Sequence, residues 1–295
     1  MKIAVFGREL KAESIPHIQS MFDCLFAKGY QILVEQDYLA QLKPAINFGG
    51  NIQSCATNQD LTDTADFIFS LGGDGTLLNS VLLANHSQTP IMGINFGRLG
   101  FLTSVSKADI NLALDLLENS DYFIDERSLL HFDCNEALFG TTPFALNEFT
   151  IHKLDTSAMI NIHTYINGEF LNSYWADGLI VSTPTGSTGY SLSCGGPIIA
   201  PRSSNFVLTP VAPHNLNVRP IVVPDNAHLT FEVEGRSEEF SCTLDSRISL
   251  FNQSHKISIK KEDFNAKLVR FKGHNFLSTL RNKLMWGADS RINPK

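Results

Sequence analysis

Cysteine is sparse in this 295-residue sequence and never paired: Cys24, Cys55, Cys134, Cys194 and Cys242 are scattered, with no C-x-x-C spacing. An odd, dispersed set offers neither a disulfide framework nor a zinc-finger pattern, and it favours a reducing compartment. No run approaches the roughly 20 apolar residues that a membrane-spanning helix requires. The opening MKIAVFGRELKAES has too short an apolar stretch before Gly7 and Arg8 for a secretion signal, so the expected location is cytoplasmic. A basic excess is missing too. Lys and Arg number 23 against 30 Asp and Glu, a net charge of -7, which argues against nucleic acid as a partner. The chain also lacks the G-x-x-x-x-G-K-[ST] loop, a full G-x-G-x-x-G fingerprint, internal repeats and low-complexity tracts. A small phosphorylated ligand stays open, because backbone N–H groups or a metal ion can supply positive field locally.

What is present is ordinary globular material, with 43% hydrophobic and 18% charged residues over a length suited to one large or two ordinary domains. Over the first 120 residues, strand and helix patterns alternate. KIAVF, QILVE, ADFIFSL and PIMGINF read as strands, the last two covered on both faces. SIPHIQSMFDCLFAKG, TLLNSVLLANH and KADINLALDLLENS read as helices, the first running from a Ser14 cap to a Gly29 stop. Such alternation predicts a parallel, Rossmann-like sheet. After about Asp121 the period changes to two. In HLTFEVEG, Leu229, Phe231 and Val233 point one way and Thr230, Glu232 and Glu234 the other, the mark of packed antiparallel sheets. The expectation is an α/β domain over residues 1–123 and an all-β sandwich over 124–271. The closing NFLSTLRNKLMW, within 272–295, is expected to return as a helix to the first domain.

Three stretches carry chemistry. Gly72, Gly73, Asp74, Gly75 and Thr76 join a strand to a helix, at the strand end where open α/β sheets bind ligands. Glycines there let a phosphate approach backbone N–H groups. A carboxylate placed among them either caps the helix, holds a metal, or takes a proton from an attacking hydroxyl. The second stretch, Ala176–Pro197, sets the hydroxyls of Ser182, Thr183, Thr185, Ser187, Thr188, Tyr190, Ser191 and Ser193 among Gly186, Gly189, Gly195 and Gly196. It is either a long solvated loop or a polar-ligand site, since each buried hydroxyl needs a partner. In the third, Asn147 and Glu148 interrupt a strand-like run; they are an exposed strand pair or the readers of an adenine edge and a ribose diol.

Together these stretches resemble the NAD kinase family, in its bacterial form. GGDGT at Gly72–Thr76, NEFTIHK at Asn147–Lys153, DGLIVSTPTGSTGYSLSCGGP at Asp177–Pro197 and PHNLNVRPIVVP at Pro213–Pro224 occur in the family's order over most of the chain. GGDGT alone is shared with lipid kinases and phosphofructokinases; the Asp177–Pro197 block is the specific one. The resemblance implies phosphorylation of the adenosine 2′-hydroxyl of NAD by ATP, with a divalent metal such as Mg²⁺, in a homodimer or homotetramer whose NAD lies near a subunit interface. It implies Asp74 as proton acceptor, with Gly72, Gly73, Gly75 and Thr76 at the nucleotide. Asn147, Glu148, Trp175, Asp177, Thr185, Thr188, Gly189, Tyr190, Ser191, Leu192, Ser193 and Arg247 fall at its cofactor-binding positions. The chain departs from the family at three of these. Gly189 stands where the family has Ala, Trp175 where bacterial relatives place a charged residue, and Asp245-Ser246-Arg247 where the family often has Asp-Gly-Gln. A kinase for another acceptor and a non-catalytic dinucleotide sensor are the rival readings; an intact Asp74 speaks against the sensor.

Overall fold

The computed structural model describes residues 1–55, 61, 64–97, 100–154, 158–273 and 275–285. Two compact units divide the chain. One comprises Met1–Glu126 together with the described residues from Ala266 onward, the other Arg127–Asn265.

In the first unit, strands β1 (Lys2–Gly7), β2 (Gln31–Glu35), β3 (Ile52–Cys55), β4 (Phe67–Leu71) and β5 (Ile91–Asn95) form a parallel sheet in the order β3-β2-β1-β4-β5. Every residue of β4 and β5 is buried, as expected of unbroken apolar runs in a sheet covered on both faces. The strand order reverses between β1 and β4, and such a switch point is where open α/β sheets accept ligands. Helix α1 (Ile15–Ala27) stops as the sequence predicts. Gly29, at φ +69°, donates to Phe26 O at 2.9 Å, and Tyr30 donates to Leu25 O at 3.1 Å, the paired bonds of a Schellman end. Ser14 holds the N-cap position of α1 without making the capping bond; its hydroxyl donates to Lys11 O at 2.7 Å.

Helix α2 (Gln36–Leu42) and strand β3 went unread in the sequence. α2 follows β2 with no Gly or Pro between them, and Glu35 starts it by accepting N–H bonds from Asp37 and Tyr38 at 2.9 and 2.8 Å. Helix α3 (Asp74–Ala84) and helix α4 (Ile110–Glu118) match their predicted periodicity. In the closing helix Phe276–Leu284, Asn275 caps the start by accepting from Ser278 N–H at 2.8 Å, and Leu280 is buried. His274 and residues 286–295 of the predicted 272–295 segment lie outside the described residues.

The second unit is antiparallel. Strands β9 (Glu148–Lys153), β12 (Gly178–Ser182), β13 (Asn205–Val211), β14 (Ile221–Pro224), β16 (Glu239–Leu244) and β17 (Arg247–Asn252) make one sheet in the order β14-β13-β12-β9-β16-β17. In the other, β10 (Ile160–Ile166) lies between β11 (Glu169–Ala176) and β15 (Leu229–Glu234). Phe149, Ile151, Phe206, Phe231 and Phe240 belong to the core of this unit. β15 shows the predicted alternation, with Leu229, Phe231 and Val233 buried and Glu232 and Glu234 exposed. The short β6 (Val105–Ser106) pairs with β5, and the division between units falls inside two long strands, β7 (Phe123–Cys134), which pairs with the short β8 (Phe144–Ala145), and β18 (Ile257–Arg270). Charges masked β7 in the sequence. One of them, Asp125, is buried and accepts from Arg270 Nε at 3.4 Å. No described helix is long and apolar enough to cross a membrane.

Candidate active site

The glycine turn in the first unit leads from β4 into α3. Gly73 takes the N-cap position without a side-chain cap, and Asp74 is the first residue of the helix. Asp74 therefore does not cap α3. Its carboxylate reaches instead to a segment about a quarter-hundred residues further along the chain. Oδ2 accepts from Phe101 N–H at 2.7 Å; Oδ1 accepts from the N–H groups of Leu102 and Thr103, each at 3.1 Å, and from the Thr103 hydroxyl at 3.3 Å. Gly100 makes room for this: a Cβ there would lie 1.9 Å from Oδ1. Gly72 is similarly tight, since a Cβ on it would meet Thr76 Oγ1 at 2.3 Å, whereas Gly75 faces open space.

A cavity of about 660 Å³ opens over the turn, lined by Gly72, Gly73, Gly75 and Thr76, by Asn95 at the end of β5 and Phe96 beyond it, and after β1 by both cations and anions, Arg8 and Lys11 with Glu9 and Glu13. It lies at the carboxyl ends of β1, β4 and β5, the switch point of the sheet. Arg8 and Lys11 were missed in the sequence. No local motif marks them; only the return of β1 beside β4 brings them here, with Gly7 paired to Leu71.

The second unit gathers the remaining predicted residues. Asn147 immediately precedes β9 and Glu148 opens it, on a turn that Asp245 organises. The Asp245 carboxylate accepts from the backbone N–H groups of Leu146, Asn147 and Glu148 at 3.0, 2.8 and 3.2 Å. Gly186 sits against this turn so closely that a Cβ would lie 2.2 Å from Asn147 O. Thr183 ties the two segments together, its N–H donating to Asn147 O at 2.9 Å and its hydroxyl to Leu146 O at 2.5 Å. The Asn147 and Glu148 side chains stay half-buried, and Glu148 Oε2 is enclosed without a hydrogen-bond partner. Burial, reinforced by the nearby Asp245 carboxylate, pushes the Glu148 carboxyl up to about 8. It is therefore largely protonated at neutral pH and able to donate as well as accept.

The hydroxyl-rich stretch is no solvated loop, for residues 178–187 are buried. Three of its hydroxyls are engaged within the protein. Ser187 donates to Pro184 O at 2.7 Å, Ser191 pairs with Thr209 at 2.8 Å, and Thr185 accepts from Arg127 Nη1 at 3.2 Å. Ser191 is wholly buried in that pair. The outward surface is made by half-buried Thr188 and Leu192 and by exposed Gly189, Tyr190 and Ser193. Tyr190 stacks on His152 with ring centroids 5.7 Å apart. Asp177 is paired with Lys153 Nζ at 2.5 Å.

A profile of the ATP-NAD kinase N-terminal domain matches residues 3–122, and one of the ATP-NAD kinase C-terminal domain matches residues 146–271. The NAD kinase of Cytophaga hutchinsonii is 46% identical over 291 residues, covering 99% of this chain and all of that protein. The chain belongs to the NAD kinase family. The NAD kinase of Flavobacterium johnsoniae is 44% identical over 294 residues, again 99% of this chain and all of the relative. Among solved structures, yeast NADH kinase complexed with NADH superposes with a TM-score of 0.90 at 20% identity, over 99% of this chain and 89% of that one. An NAD kinase from Archaeoglobus fulgidus in complex with ATP superposes with a TM-score of 0.74 at 26% identity, over 97% and 99% of the two chains. The likeness of the fold thus extends over both units.

Against the family pattern, the departures have physical consequences. Arg247 turns its guanidinium inward, donating to Thr142 O at 2.5 Å, to Thr142 Oγ1 at 3.0 Å and to Phe144 O, with Phe139 beneath it. It braces the segment before β9. Trp175 is 44% exposed and lies against His214, ring centroids 4.2 Å apart. Gly189 is exposed, but its N–H donates to Gly186 O at 2.8 Å and its carbonyl accepts from Ser193 N–H at 3.4 Å.

Glu148 gives the site a pH signature. Its raised value means that folding holds a proton which the unfolded chain releases, so its destabilising effect grows as pH rises from about 4.5 to about 8. Glu148→Gln should leave the melting temperature of the ligand-free protein unchanged near pH 4.5 and raise it by about 2–6 °C at pH 8. Calorimetric melts of both proteins across this range check the sign; a constant difference would place Glu148 outside the buried environment described.

Proposed function

We propose that the protein transfers the γ-phosphate of ATP to the adenosine 2′-hydroxyl of NAD, giving NADP, with Asp74 as proton acceptor. The observation that carries the assignment is the placement of Asp74. A carboxylate at the first residue of α3, held by four donors beside a cavity lined by glycines, is neither a helix cap nor a surface charge. As the 2′-oxygen bonds to the γ-phosphorus, its proton passes to Asp74 and the bond from phosphorus to the ADP oxygen breaks with its electron pair. Phosphoryl transfer is mostly positioning and charge stabilisation. Arg8 and Lys11 offer cations to the ATP phosphates, within a lining that also carries Glu9 and Glu13, and the Gly73 and Gly75 N–H groups at the start of α3 add donors.

The second unit supports a dinucleotide acceptor over a lipid or sugar. Asn147 offers an amide and Glu148 a carboxyl suited to an adenine edge and ribose hydroxyls, and Tyr190 offers an exposed ring. Among the described residues no three His, Cys, Asp or Glu side chains converge as a metal cage. The Mg²⁺ of this proposal enters with the ATP phosphates. Self-assembly as a homodimer or homotetramer and a cytoplasmic setting belong to the same reading, supported by the family resemblance.

Incubating the protein with ATP, Mg²⁺ and NAD should produce NADP, followed with an NADP-specific dehydrogenase. Asp74→Asn should lower kcat by about 10²–10⁴, the usual effect of losing a general base, with NAD affinity within about tenfold. Near wild-type turnover by this variant would remove Asp74 from the reaction.

Arg8→Ala should raise KM for ATP about tenfold, the loss of roughly one charge-assisted contact, and leave KM for NAD unchanged. An unchanged KM for ATP would place the phosphates elsewhere.

A further inference from the structure

The donors around Asp74 are divided unequally. A carboxylate has about four lone-pair positions. Oδ1 meets three donors, the N–H groups of Leu102 and Thr103 and the Thr103 hydroxyl; Oδ2 meets one, Phe101 N–H. Oδ1 is saturated, and only Oδ2 retains a lone pair for a further donor. The two oxygens are not interchangeable as long as this arrangement holds.

Thr103 is the centre of the arrangement. It is buried, and its hydroxyl accepts from Gly100 N–H at 2.9 Å and from Asn95 Nδ2 at 3.3 Å. With both acceptor positions taken, its single proton is directed at Asp74 Oδ1 at 3.3 Å. Asn95 is fixed in turn, its Oδ1 accepting from Gly97 N–H at 2.8 Å. Gly100 contributes by having no side chain, since a methyl group would occupy the position of the carboxylate.

We propose that Thr103 is a positioning residue for phosphoryl transfer: through the Asn95–Thr103 network it pins Oδ1, and with Gly100 leaving the necessary space, it presents Oδ2 alone to the acceptor hydroxyl. The inference rests on the reading of Asp74 as proton acceptor and assigns the proton to one named atom. A carboxylate free to turn about its Cβ–Cγ bond would lose the alignment on which such a transfer depends. Serine in place of Thr103 keeps the hydroxyl and valine keeps the shape, so the pair separates hydrogen bonding from packing.

The test is a double-mutant cycle, which isolates coupling between two residues. Thr103→Val should lower kcat about tenfold with KM for NAD and ATP within about twofold, and Thr103→Ser should recover most of the rate. In the Asp74→Asn background, where the acceptor is already lost, Thr103→Val should cost less than about twofold. A full tenfold cost in that background would show that Thr103 acts through the fold and overturn the proposal, as would an unchanged kcat in the single variant. A readout without turnover uses Gly100→Ala, which should lower the melting temperature by several degrees in the wild type and by less than about 1 °C with Asp74→Ala. Equal losses in both backgrounds would refute the contact. If the wild type made no NADP, the substrate assignment would fail while the melting cycle still decided the anchoring.

Discussion

The first unit is organised around one half-buried arrangement: a carboxylate at the start of a helix receiving the backbone N–H groups of three consecutive residues, Phe101, Leu102 and Thr103. Such N–H groups need partners when they are withdrawn from water, and a charged acceptor makes the stronger bonds. The interaction holds the segment after β5 to the turn after β4, and it fixes the atoms of Asp74 where glycines leave the surroundings open. Gly72 and Gly100 each leave room for a side chain of the protein, Thr76 and the Asp74 carboxylate respectively, whereas Gly75 faces open space.

A parallel device appears in the second unit. Asp245 also receives three consecutive backbone N–H groups, those of Leu146, Asn147 and Glu148, and so fixes the turn that presents the Asn147 and Glu148 side chains. Thr183 and Gly186 lock that turn to the hydroxyl-rich segment. Enclosure has an electrostatic consequence: Glu148 carries an unpaired buried oxygen and a raised value near 8. Groups held away from their ordinary ionisation are common where ligands bind, because a ligand can supply the partner that the protein withholds.

Much of this was legible in the residues. The periods of 3.6 and two separated the parallel sheet from the antiparallel ones, and the GGDGT turn and the Asn147–Glu148 pair were found as motifs. What the sequence left open were long-range matters. Whether Asp74 caps its helix or faces another group depends on donors at 101–103, which no local pattern around 74 contains. Arg8 and Lys11 reach the same cavity only through strand order. The hydroxyls of Ser187 and Ser191 looked available to a ligand because Ile199 and Thr209, which satisfy them, come later in the chain. Arg247 looked like a ligand contact by position; Thr142 and Phe144, about a hundred residues earlier, claim it instead.

The Asp74 carboxylate holds the 101–103 segment in place. Amide hydrogen exchange measures it directly, because protection reports the free energy of opening each bond. The N–H groups of Phe101, Leu102 and Thr103 should be protected in the wild type, and Asp74→Ala should speed their exchange at least about tenfold while amides in β1 stay unchanged. Equal exchange at these three positions in both proteins would contradict it.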